Sequence, residues 1–79
     1  MYFVSQTQTT ESGVAQNIFQ YNTRDEAAEA YHATSASNYA AAKVGTLKAF
    51  VVALQNEHLY PEEREIWSEP APVPNEENE

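Results

Sequence analysis

Between Thr23 and Gly45 the chain has one long alanine-rich segment, RDEAAEAYHATSASNYAAAK, and no second segment like it. One helix, with strand-type sequence on both sides, restricts the fold severely. A single helix covers at most one face of a sheet, so the other face must be solvated or meet a partner. The ends of this helix are written locally. Thr23 and Glu26 have capping-box spacing, and acids at 25, 26 and 29 suit the positive end of the helix dipole. Lys43 supplies a cation to the last turn and Gly45 a stop. Ala27, Tyr31, Thr34, Asn38 and Ala41 fall on one stripe; Ala28, His32, Ser35, Tyr39 and Ala42 fall on the adjacent one. Small residues in such a stripe allow close approach to a sheet.

The flanking segments have strand character. Tyr2 to Thr10 is rich in aromatic, Val and Thr residues, and Glu11-Ser12-Gly13 supplies a turn. Val14 to Tyr21 returns, with Ala15, Phe19 and Tyr21 on one face and Val14, Gln16, Ile18 and Gln20 on the other. After the helix, Thr46 to Leu54 (TLKAFVVAL) is a nearly unbroken apolar run suited to a central strand. Gln55 to His58 forms a polar turn, and Leu59 to Trp67 is the fourth strand. Pro61 cannot donate to a ladder, which predicts an edge position or a bulge. The expected fold is α+β: ββαββ, a four-stranded, mostly antiparallel sheet with one helix on one face. Its open face is read either as a dimer or partner surface or as a solvated polar face.

The 79 residues permit one domain, assigned to positions 1–67. Positions 68–79, SEPAPVPNEENE, combine alternating prolines with acids and read as a flexible acidic tail. The chain carries 12 acidic and 4 basic side chains, net −8; without the tail's four glutamates, 8 acids and 4 bases leave −4. With no cysteine, disulfides and thiolate zinc sites are excluded. A core this small, without such staples, predicts self-association, with a dimer the expected form. No apolar run reaches membrane-spanning length and the N-terminus lacks a signal-peptide layout, so a cytoplasmic location without a membrane partner is expected.

The motif DEAxxAYH, here Asp25 to His32, follows a YFV-type strand and a hairpin and precedes an apolar strand and a final strand ending near Trp67. In this arrangement the chain resembles small ββαββ proteins of gut Firmicutes and their phages and prophages. The resemblance spans most of residues 1–67. It implies a phage or mobile-element accessory setting, hence a host-cell cytoplasm, and carries no activity with it.

Chemistry-bearing patterns are sparse. Gly13 and Gly45 stand alone, which excludes phosphate loops. Cations at 24, 43, 48 and 64 form no basic patch, which argues against direct nucleic-acid binding. His32 and His58 lack metal-ligand spacing, and the simpler reading makes His32 a half-buried, hydrogen-bonded helix residue and His58 an exposed turn residue. His32 and Ser35 share a helix face without an evident orienting group or oxyanion hole. Glu63 and Glu65 share one strand face, where charge more often protects an exposed edge than performs catalysis. No cofactor is implied.

The expectation is therefore a non-enzymatic, acidic interaction module with a host protein as partner, for instance an anti-defence inhibitor that mimics nucleic acid by its negative field. The alternative is a sponge for a signalling nucleotide at a subunit interface. Tyr31, Tyr39 and Trp67 would stack on a base while Arg24, Lys48 or Arg64 met phosphate. His32, Glu63 and Glu65 complete the set of candidate binding residues.

Overall fold

Each strand and the helix begin and end on a local signal, and the order is β1 (Tyr2–Thr10), β2 (Gly13–Tyr21), α1 (Arg24–Lys43), β3 (Ala49–Gln55) and β4 (Pro61–Ser68). The computed structural model describes residues 1–70. The expected acidic tail lies outside the described residues from position 71 onward. Ser68 belongs to β4, and the Glu69 N–H donates to the Lys48 carbonyl at 2.7 Å.

The strands form one antiparallel sheet in the order β2-β1-β3-β4. The fold is α+β, ββαββ, as the sequence predicts. Gly13 closes the first hairpin at φ +139°, a backbone conformation that favours glycine. Thr23 caps the helix: its hydroxyl accepts from the Glu26 N–H, and the Glu26 carboxylate accepts from the Thr23 N–H. At the other end Gly45, at φ +84°, donates to Ala42 while Thr46 donates to Ala41, both at 3.0 Å. This pair of bonds is a Schellman stop.

That stop corrects the expected start of the third strand. The Thr46 N–H is consumed by the helix end, and Leu47 is a buried plug rather than a strand residue. The ladder begins at Ala49. The fourth strand also starts late, at Pro61 rather than Leu59. Asn56 holds a tight turn in which its side-chain oxygen accepts from the His58 and Tyr60 N–H groups, and Leu59 sits at φ +65°. Pro61 meets both expectations: β4 is an edge strand, and the ladder slips beside the proline. Leu54 pairs with Glu63 and Gln55 with Pro61, leaving Glu62 as the extra residue.

Helix α1 lies over β1 and β3. The core gathers Val4, Ala27, Tyr31, Leu47, Phe50, Val52 and Leu54, flanked by Tyr2, Tyr21 and Trp67. The buried helix residues are Ala27, Tyr31, Ser35 and Asn38, drawn from both predicted stripes. Ala27 is fully buried, so the helix approaches the sheet closely at its N-terminal turns. Among the described residues no helix is long and apolar enough to cross a membrane.

Candidate functional site

Strand alternation places Glu63, Glu65 and Trp67 on the helix side of β4, opposite Leu54, Val52 and Phe50 of β3. The seam between α1 and β4 thus brings together five of the six candidate residues. At its lower end Arg24, in the first helical turn, donates from Nε to Glu62 at 2.9 Å and from Nη2 to Glu63 at 3.0 Å. Sequence neighbours on a regular strand point to opposite faces; the bulge at Glu62 lets both carboxylates meet one guanidinium. Those bonds push the Arg24 pKa further above its already high ordinary value.

Farther along, the Tyr39 hydroxyl donates to Glu65. This bond, then desolvation and the Glu65 charge, raises the Tyr39 pKa and keeps the phenol neutral. Tyr31 is buried, and desolvation, followed by the charges of Glu65 and Glu63, raises its pKa. Phe50 lies between the other two aromatics. Its ring centroid is 4.9 Å from Tyr39 in an edge-on arrangement and 6.1 Å from Trp67 in a stacked one. Glu63, Glu65, Tyr39 and Trp67 are therefore engaged with groups of their own fold, and they fasten the helix to the edge strand.

His32 stands apart. It is exposed rather than half-buried, and its ring lies 5.1 Å from that of Tyr31, edge-on, in place of the expected hydrogen bond. Ser35 is buried, and its Oγ has no hydrogen-bond partner. The two residues share a turn of helix but face different media, so no proton path links them. A buried hydroxyl without a partner is a cost that alanine avoids. Ser35→Ala is expected to leave the fold intact and to raise stability by about 1 kcal/mol, a rise in Tm of roughly 4–8 °C for a domain of this size. A fall in Tm would show that Ser35 has a partner in solution. His58 is exposed in its turn, as expected, with Nε2 3.5 Å from Glu57. Among the described residues no group of three or more acidic or histidine side chains is placed to hold a metal.

The side of the sheet away from the helix is built from the other half of each strand. It carries Phe3, Ser5, Thr7 and Thr9 of β1, the even-numbered residues of β2, Ala49, Val51 and Ala53 of β3, and Arg64 and Ile66 of β4. Val14, Ile18 and Ile66 are 65%, 56% and 60% exposed. Ser5, Thr7, Gln16, Ile18 and Gln55 help line a shallow groove of about 300 Å³ across this face. Exposed apolar side chains, as a partner surface requires, alternate on this face with the hydroxyls and amides of a solvated one. Residue spacing identifies its members, but only strand order shows which of them adjoin.

No family model matches the chain, and no curated protein or solved structure matches it.

Proposed function

We propose that the protein is a non-enzymatic interaction module that binds another protein through the open face of its sheet. The observation that carries this reading is the exposed apolar set Val14, Ile18 and Ile66 on a face left uncovered by the only helix among the described residues. By contrast, the carboxylates and aromatics along the α1–β4 seam are engaged with one another. The phage or prophage resemblance supplies the setting, a host-cell cytoplasm, and a host defence protein as the partner class. The net charge of −8 favours a partner with a positive surface, such as one that normally holds nucleic acid. The signalling-nucleotide reading has less support. Trp67 is stacked on Phe50, while Arg24 is held by Glu62 and Glu63 and Lys48 lies 3.5 Å from Glu69.

The test is capture of host proteins on the immobilised full chain, beside the double variant Ile18→Asp, Ile66→Asp. Both positions are more than half exposed, so the variant is expected to melt within a few degrees of the parent. A partner retained by the parent and lost by the variant supports open-face docking, and its elution with rising salt reports the electrostatic share. Equal retention by both proteins would exclude the open face as the docking surface.

A further inference from the structure

The two edges of the sheet are built differently. The β4 edge has Pro61, a bulge at Glu62 and three glutamates, all features that discourage pairing with another strand. The β2 edge has none of them. Its nine residues, GVAQNIFQY, include no Pro, Asp, Glu, Lys or Arg, and all nine pair with β1 without a slip. Residues 13 to 20 are exposed on both faces, because α1 lies over β1 and β3 rather than over β2. Among the described residues nothing covers the outer side of this strand.

The direction of its free backbone groups follows from the ladder. The Thr9 carbonyl accepts from Lys48 at 2.8 Å, so Thr9 directs its backbone towards β3. Backbone direction alternates along an antiparallel strand, so the even-numbered residues of β1 face β2. Their partners are the odd-numbered residues of β2, as in Gln6 opposite Asn17. Val14, Gln16, Ile18 and Gln20 therefore present their N–H and C=O groups outward, unpaired.

We propose that β2 pairs antiparallel with β2 of a second copy, giving a two-fold dimer with a continuous eight-stranded sheet. Asn17, the central residue of Gly13–Tyr21, sits on the axis. In that register Val14 exchanges both backbone hydrogen bonds with Gln20 of the second copy, and Gln16 does so with Ile18. Every outward group of the four residues is then satisfied. On the open face Ile18 lies diagonally beside both Val14 and Ile18 of the other copy, which joins four exposed aliphatic side chains into one cluster. On the helix side Phe19, half exposed in the single chain, lies across from Ala15.

Charge directs a second copy to this edge rather than to β4. Two chains of net −8 repel each other, and self-pairing of β4 would align glutamates. The β2 edge is an uncharged nine-residue strand, about 30 Å long, where two copies meet without like charges in register. The same geometry leaves both open faces free and in one plane. Ile18 serves both surfaces, whereas Ile66 on β4 belongs to the open face alone and Asn17 to the pairing edge alone, so the two proposals are separated at those positions.

Two measurements on the full chain test the pairing. Light scattering behind a sizing column, over a concentration series into the hundred-micromolar range, is expected to give twice the 8.9 kDa chain mass. Gln16→Pro removes an outward N–H while leaving the bonds to β1, and Ile18→Lys places like charges near the axis. Each is expected to weaken the dimer by about 30-fold or more while Trp67 fluorescence stays unchanged. Second, Asn17→Cys is the only cysteine in its variant chain and faces its own copy at a non-hydrogen-bonded pair, about 4.5 Å between Cα atoms. It is expected to form a disulfide-linked dimer on mild oxidation, whereas Val14→Cys, which faces Gln20, is not. A monomer throughout the series, or a dimer indifferent to both edge variants, overturns the proposal. So does equal crosslinking at positions 14 and 17.

Discussion

Phe50→Ala is expected to leave the chain without a cooperative fold. Phe50 is 1% exposed and joins three elements, with Tyr39 of α1 edge-on to its ring and Trp67 of β4 stacked on it. Truncating a buried phenylalanine costs about 3–5 kcal/mol. A described domain of 70 residues has on the order of 4–10 kcal/mol in total, so the loss takes most or all of its stability. The single tryptophan reports the outcome directly, because loss of the Phe50 stack exposes Trp67. The expected readout is a red-shifted emission and no thermal transition. Phe50→Leu, which keeps most of the volume, is expected to cost less and to retain a transition at lower temperature. A cooperative melt of Phe50→Ala within a few degrees of the parent would show that the core does not depend on this ring.

Asn38→Ala is expected to destabilise the fold by about 3 kcal/mol, a fall in Tm of roughly 12–24 °C, although it removes only a small polar side chain. Asn38 is 1% exposed and bridges α1 to β1. Its Oδ1 accepts from Gln8 Nε2 at 2.7 Å, and its Nδ2 donates to Gln6 Oε1 at 2.7 Å and to the Thr34 carbonyl at 2.8 Å. Without it, two glutamine amides under the helix lose their partners, and that cost exceeds the value of the bonds themselves. The triple variant Gln6→Met, Gln8→Met, Asn38→Leu removes the stranded groups as well, and it is expected to recover most of the lost stability. Urea denaturation of the three proteins decides the matter. A cost below about 1 kcal/mol for Asn38→Ala would mean that water replaces the bridge.

These two residues differ in how far sequence reveals them. Phe50 lies within TLKAFVVAL, an apolar run that reads as buried wherever the strand is placed. Asn38 lies in the predicted packing stripe, but Gln6 and Gln8 read as ordinary polar strand positions. Nothing in the local pattern says that an amide on the helix waits for them. Glu63 and Glu65 show the same limit. As part of an edge strand they read as charged protection against aggregation, whereas the structure commits them to Arg24 and Tyr39. Their partners lie 39 and 26 residues away, and no spacing rule reaches that far.

Local chemistry alone determined the five elements, in order and in type. Thr23 and Glu26 cap one another, Gly45 ends the helix, Gly13 turns the hairpin and Pro61 marks an edge with a bulge. Each signal acts within a few residues, where backbone sterics and hydrogen-bond reach are fully specified by the chain. The tertiary structure decided the rest: that β1 is central and β2 is an edge, that the helix leaves β2 uncovered, and which polar groups are engaged. Those outcomes depend on pairing residues far apart in sequence, such as Val4 with Leu54. Many strand orders satisfy the same alternation, and the one adopted buries Val4, Phe50, Val52 and Leu54 under one helix while giving Asn38 and Arg24 their partners. The remaining surface, an open face and an unprotected neutral edge, is what that choice leaves for other molecules.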